Sequence, residues 1–260
     1  MIALQLRSPA QRRLDSDLGD ARQIQSAMLP PLDQSRDGVE IAAGYRPAYE
    51  VGGDFFEVDH LGRGRFSFVV GDVAGKGVSA ALIMARVSNE VRRFARTGRR
   101  PSRVLGGVNR WLDNQGLSDR FVTATAVQLD LTTGTWLAAS AGHPPALLFR
   151  RSGEVISLAP GGGPGLGFGG LARWQCEDHA VAVEDDDLLL IVTDGVTDRV
   201  DAATLNALIA DALPAPGRPA VNLAELRRRI FARTFRNGGE PDDATLLVVR
   251  VTPLAARGRC

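Results

Sequence analysis

Apolar residues recur along the chain with two different periods, and the switch between them divides it into elements. Residues 10 to 29 carry Leu14, Leu18, Ala21, Ile24 and Met28 at intervals of three and four, which predicts an amphipathic helix stopped by Pro30 and Pro31. From residue 38 the period drops to two in VEIAAGYRPA, DFFEVDHLG and GRFSFVVGDVAG, with Gly and Asp as turn residues, which predicts an antiparallel sheet. A helix is expected from Gly77 to Ala95, with Val78, Leu82, Met84 or Ala85, Val87, Val91 and Phe94 as its buried stripe. Another starts at Pro101, whose ring suits a first helical turn, and carries Val104, Leu105, Val108 and Leu112.

Strand periodicity returns in FVTATAVQLDLTTGTWLAASAG, with a hairpin around Thr133-Gly134, and in PALLFRRSGEVISLA, with a turn at Ser152-Gly153. In DDDLLLIVTDGVTD an apolar run buried on both faces delivers Asp194 at its end. Helical stretches at 202–212 and 221–235, separated by PAPGRP, precede the strand ATLLVVRV. This order fits an α+β fold of two packed antiparallel sheets with helices outside. The segment GGGPGLGFGG, 161–170, lacks the strand-GxxxxGK[ST]-helix context of a nucleotide loop and reads as a flexible surface connection.

At 260 residues, with no internal repeat, the chain suits one sizeable domain, expected over 32–252, with an N-terminal helical arm over 1–31 and a disordered tail over 253–260. A net charge of +1 and 23% charged residues argue against a disordered acidic chain and against a basic nucleic-acid coat. No apolar run approaches the ~20 residues that cross a bilayer, and no signal peptide is evident, so no membrane association and a cytoplasmic location are expected. Cys176 and Cys260 form neither a disulfide framework nor a metal-ligand spacing. Of 31 basic residues only Lys76 is lysine, which suggests that a compact ammonium is wanted there.

Four aspartates lie at β edges beside small-residue turns: Asp54 in VGGDFFE, Asp72 in FVVGDVAGKG, Asp194 in LLIVTDGVTD and Asp242 in PDDATLLVV. Each alone reads as a turn or capping residue. Converging, they would repel one another toward protonation unless a cation neutralised them. Oxygen donors without His or Cys favour Mg²⁺ or Mn²⁺ over Zn²⁺.

VGGDFFE, GDVAGKGVSAALIMA, SAGHPPALL, TDGVTD and DDATLLVV, in that order, resemble the motifs of the SpoIIE-type serine phosphatases, the bacterial branch of the metal-dependent protein phosphatases related to protein phosphatase 2C. The resemblance covers about residues 20 to 251. It implies a four-layer αββα sandwich holding two Mn²⁺ or Mg²⁺ ions at one end. Carried over by position, it implies that Asp72 bridges both ions, the Val73 carbonyl serves the first, and Asp194 with Asp242 binds the second. Asp54 would hold a water of the first ion or touch it directly, and Asp243 would support the ligands or replace Asp242 as one. The ions would activate a bridging water for attack on phosphoserine, with no protein nucleophile. The implied substrate is a phosphorylated anti-anti-sigma factor of the STAS type. ARQIQSAMLPP resembles the helical linker to an upstream sensor or activator, so the first helix is either packed on its own domain, a homodimer seam or a lever.

Phe56 and Glu57 depart from the family's usual Tyr and Asp, and Lys76 stands where related loops carry Lys or His. No clear counterpart of a phosphate-gripping arginine is evident, Arg46 being a weak candidate. His143 reads as a structural histidine rather than a general acid. The cluster Arg92, Arg93, Arg96, Arg99, Arg100 and Arg103 reads as a solvated face, with docking of an acidic or phosphorylated protein as the alternative. Nucleic-acid binding is not expected, because no aromatic stacking residues interleave with it. The competing function is a non-catalytic partner-binding regulator of the same fold, which the presence of every metal-position aspartate disfavours.

Overall fold

Pleating sends alternate side chains of a strand to opposite faces, and in this chain both faces of both sheets are covered. The computed structural model describes residues 8–116, 120–168, 174–215, 219–236 and 242–252. One sheet has the order β1 (Asp33–Arg36), β2 (Val39–Arg46), β11 (Ala244–Val251), β10 (Leu188–Val192), β7 (Ala146–Phe149), β8 (Val155–Leu158). The other has the order β3 (Phe55–Gly62), β4 (Arg65–Val73), β5 (Val122–Asp130), β6 (Thr135–Ala141), β9 (His179–Ala182). Every pairing between these strands is antiparallel. The helices are α1 (Pro9–Met28), α2 (Gly77–Ala95), α3 (Pro101–Asp113), α4 (Asp194–Thr197), α5 (Ala202–Ala212) and α6 (Leu223–Thr234).

Three sets of buried apolar side chains define the layers. Between the sheets lie Phe56, Phe66, Phe68, Trp136, Ile191, Leu247 and Val249. Outside the first sheet, Leu190, Leu246 and Val248 pack under Leu205 and Ile209 of α5 and Leu226 and Ile230 of α6. Outside the second, Phe55, Val69 and Ala124 pack under Met84, Val87 and Val91 of α2 and Leu105 and Val108 of α3. The result is the expected αββα sandwich. In β11, Leu246 and Val248 face the helices while Leu247 and Val249 face the other sheet, which is why the strand reads as an unbroken apolar run.

Three expectations need correction. In α2 the buried stripe is Ala80, Met84, Val87, Val91 and Ala95, and Val78 and Leu82, four residues apart, stay exposed because they lie on a face turned away from that stripe. In α1 the residue that is buried is the polar Gln25, while Leu14 and Ile24 are 51% and 64% exposed. The glycine-rich segment is not a free surface connection: Leu166 is fully buried and exchanges hydrogen bonds with Val122 in both directions (2.9 and 2.7 Å). Its residues 169 and 170 lie outside the described residues, as does the expected tail over 253–260.

The arginine cluster is largely spent within the chain. Arg92 donates to both oxygens of buried Glu57 (2.8 and 3.0 Å) and to the Met28 carbonyl (3.1 Å), fastening α2 to β3 and to the end of α1. Ser88 also donates to Glu57. Arg96 pairs with Asp59 (2.7 Å), Arg93 with Glu90 and Arg100 with Asp178, while Arg99 lies over the Phe94 ring.

At the end of the sandwich where β6 begins, buried Asp187 accepts from Trp136 Nε1 and Arg150 Nη1 (2.8 Å each) and from the Glu184 N–H (2.9 Å), tying the two sheets together. Arg150 also donates to the Ala182 carbonyl (2.7 Å). Asp187→Ala leaves a buried guanidinium with only the exposed Glu184 carboxylate, 3.7 Å away, as counter-charge, and urea unfolding is expected to show a loss of about 3–5 kcal/mol. Adding Arg150→Met is expected to recover part of it; a loss below about 1 kcal/mol for the single variant contradicts this account.

Candidate metal centre

Sequence-distant segments end at the opposite edge of the sandwich. Asp54 immediately precedes β3, Asp72 is the penultimate residue of β4, Asp194 opens α4 just after β10, and Asp242 and Asp243 lead into β11. Strands β10 and β11 are neighbours with Val192 opposite Leu246, which sets Asp194 beside Asp243. Gly195 is required there, because any side chain would run into the Asp243 carbonyl. Thr193 tightens the junction: its N–H donates to the Thr245 carbonyl (3.1 Å), and its hydroxyl accepts from the Thr245 N–H (2.9 Å).

The same hydroxyl crosses to the other sheet and donates to Asp54 (2.8 Å). Asp243 crosses as well, each oxygen accepting one backbone N–H, from Ala48 and from Gly53 (2.6 Å each). Gln25 of α1 clasps the preceding residue from outside, donating to the Gly52 carbonyl (2.7 Å) and accepting from the Gly52 N–H (3.1 Å) and the Tyr45 hydroxyl (3.0 Å).

The carboxylates feel one another. Asp54 is driven well above the ordinary aspartate range by burial, then by the charges of Asp72 and Asp243, with the Thr193 hydroxyl only partly offsetting this. Burial, Asp194 and Asp243 push Asp72 up to about 7 despite a hydrogen bond shared with Asp54. Asp194 is raised by burial and then by Asp242, and Asp243 by burial against the pull of its backbone donors. Asp54, Asp72, Asp194, Asp242 and Asp243 therefore lie within electrostatic reach of one another at this edge. Lys76 stands at its rim, its Nζ 2.9 Å from Asp242 Oδ1, which keeps the ammonium charged.

Among the described residues no three His, Cys, Asp or Glu side chains form a closed ligand group. The donor chemistry nevertheless fits hard divalent cations: the chain supplies oxygens, packed closely enough to raise one another's pKa. Gly53 leaves the Val73 carbonyl uncovered as a further oxygen, since a Cβ there would lie 2.8 Å from it.

Other candidates fall outside this pocket chemistry. His143 is buried with Nδ1 2.8 Å from the Thr123 hydroxyl, and burial depresses it to about 3, so its ring stays neutral. Cys176 donates to the Ser140 carbonyl (3.3 Å), and burial raises the thiol to about 11. Arg46 stacks on Phe235 with its guanidinium carbon 3.9 Å from the ring centre. Sequence reasoning missed Thr193 and Gln25. Thr193 carried a signal, a hydroxyl between a buried strand and an acidic turn; Gln25 is one polar residue among many on an amphipathic helix and carried none.

Residues 62–252 match the family model described as Stage II sporulation protein E (SpoIIE). The chain is 26% identical over 191 residues to the phosphoserine phosphatase RsbU of Bacillus subtilis, covering 72% of this chain and 55% of that protein. Identity to the phosphoserine phosphatase RsbP of the same organism is 27% over 216 residues, covering 81% and 51%. This chain therefore spans about half the length of the curated relatives it matches. The structure of the RsbU and RsbW domains of Rv1364c from Mycobacterium tuberculosis superposes with a TM-score of 0.70 at 30% identity, covering 83% of this chain and 61% of that one.

The geometry separates the two adjacent aspartates. Asp243→Ala strips the acceptors from two backbone N–H groups and is expected to cost about 2–4 kcal/mol in thermal or urea unfolding. Asp242→Ala removes a half-exposed partner of Lys76 that also accepts from the neighbouring Asp243 N–H (3.1 Å), and is expected to cost less than about 1 kcal/mol. Equal losses would contradict this division.

Proposed function

The chain belongs to the stage II sporulation protein E (SpoIIE) family, and on that premise we propose that it is a Mn²⁺- or Mg²⁺-dependent protein serine/threonine phosphatase. Its reaction adds water across the phosphoserine ester, the water oxygen going to phosphorus and a proton to the departing serine oxygen. The observation that carries this is the shared field of Asp54, Asp72, Asp194, Asp242 and Asp243 at the edge of the sandwich. When bound, two divalent ions supply an activated water and neutralise charge on the phosphoryl oxygens.

The residues divide the labour by their hydrogen bonds. Asp72, under the influence of both Asp54 and Asp194, would be a ligand shared by the ions, and the Val73 carbonyl would help hold one of them. Asp194 and the more open Asp242 would hold the second, with Lys76 orienting Asp242. Asp54, fixed by Thr193, orients a water or ligates directly. Asp243 braces the Gly53 loop, both of its oxygens being occupied by backbone donors. His143, held neutral, shapes the strand ends.

The phosphoserine phosphatase named for RsbU and the RsbU–RsbW pairing named for Rv1364c support a phosphorylated regulatory protein as substrate, an anti-anti-sigma factor of the STAS type. Among the described residues no helix is long and apolar enough to cross a membrane, and we assign the domain to the cytoplasm. The exposed Leu14 and Ile24 support pairing of two copies through α1, and the Gln25–Gly52 clasp supports α1 as the route by which an upstream module reaches the pocket.

Hydrolysis of p-nitrophenyl phosphate and of a phosphorylated STAS protein is expected with Mn²⁺ and not with chelator. Asp72→Asn is expected to cost more than the about 10–100-fold typical of outer-shell partners. In chelator that variant is expected to melt above the unsubstituted protein, because one charge leaves a crowded pocket; metal-independent turnover contradicts the assignment. Light scattering is expected to show a dimer that becomes monomeric when residues 1–28 are removed, and an unchanged mass excludes α1 as the seam.

A further inference from the structure

The geometry points to Arg120 as the group that grips the substrate phosphoryl oxygens, an inference that rests on the phosphatase assignment above. A phosphate monoester dianion is held best by a planar fork of donors, which arginine supplies and lysine does not. Of the other cations at this edge, Lys76 is engaged by Asp242 and Arg46 lies on Phe235.

Arg120 is placed by the β4–β5 ladder. Val73 pairs with Val122, and the Ala74 N–H donates to the Phe121 carbonyl (2.9 Å), so the next residue back along the strand faces Gly75. Arg120 Nη1 donates to the Ala74 carbonyl (3.1 Å). Gly75, at φ +110°, leaves the room the guanidinium fills; a Cβ there would collide with Nη1. The guanidinium thus lies across the turn that runs from Asp72 and Val73 to Lys76.

Two features keep it there. Phe121 stacks on Phe168 with ring centres 4.7 Å apart, and Val122 is bridged to Leu166 in both directions. Among the described residues, Arg120's one hydrogen bond is to Ala74 and it pairs with no carboxylate, so its remaining N–H groups are available to an anion seated over the pocket. A cation laid on the turn between Asp72 and Lys76, and pairing with no carboxylate among the described residues, suits a site whose substrate arrives with its own negative charge.

The test measures steady-state kinetics with Mn²⁺ on p-nitrophenyl phosphate and on a phosphoserine peptide, together with inhibition by inorganic phosphate. Arg120→Ala is expected to raise KM and the phosphate inhibition constant together by about 10- to 100-fold, the worth of a hydrogen bond between charged groups. The Mn²⁺ concentration for half-activation is expected to stay the same. Arg120→Gln, which can still donate to Ala74, is expected to show the same rise, and Arg120→Lys a smaller one. Unchanged KM and phosphate inhibition in a folded Arg120→Gln protein overturn the inference while leaving the phosphatase assignment standing. A loss confined to Mn²⁺ affinity also overturns it. Absence of any Mn²⁺-dependent turnover in the unsubstituted protein removes the assignment itself, and this inference with it.

Discussion

Carboxylates gathered where water cannot fully reach them repel one another, and that repulsion governs how this end of the sandwich is built. The chain answers it piecemeal: two backbone N–H groups for Asp243, a threonine hydroxyl for Asp54, one ammonium for Asp242. Asp194 is helped by the Gly195 N–H and Asp72 by a hydrogen bond shared with Asp54, yet Asp54, Asp72, Asp194 and Asp243 all stay raised. An arrangement of this kind is stable only because the three apolar layers and the Asp187–Arg150–Trp136 network hold the rest of the molecule. The strain sits where a divalent cation relieves it, which is what makes the pocket receptive rather than merely unfavourable.

Placement follows from rigid elements. Asp72 rides on a strand paired with β3 as far as Gly71 and is itself paired with Thr123 of β5, and Asp194 and Asp243 are set by the register of two central strands. The turn over residues 47–54 lacks such pairing, and it is held by Asp243 from within and Gln25 from without. The glycines at 53 and 195 are there because a side chain would strike the Val73 or Asp243 carbonyl, not because the backbone needs unusual angles.

Much of this was legible in the sequence. Period-two runs bounded by glycine marked the strands, and Gly77–Ala95 was bounded as found, because strand alternation and helical spacing are properties of single segments. What was not legible depends on which surface a segment meets. The outward turn of Val78 and Leu82, the burial of Gln25 and the pinning of Leu166 all follow from tertiary neighbours far along the chain. The acidic pocket was read from aspartates at β edges and from motif resemblance; the difference between Asp242 and Asp243, identical in kind and adjacent, needed the hydrogen bonds.

Strand β11 lies between β2 and β10, although it is the most C-terminal of the described strands. The second sheet takes its strands from residues 55–182 and can pair without it, but the first has a gap at its centre until residues 244–251 arrive. During synthesis the second sheet has all its strands once residue 182 has emerged, whereas the first keeps two orphaned strand edges until residues 244–251 follow. Asp242 and Asp243 arrive with the closing strand, so a nascent chain has no complete pocket. Chemistry at this site must wait for the ribosome to release the segment that also completes the fold.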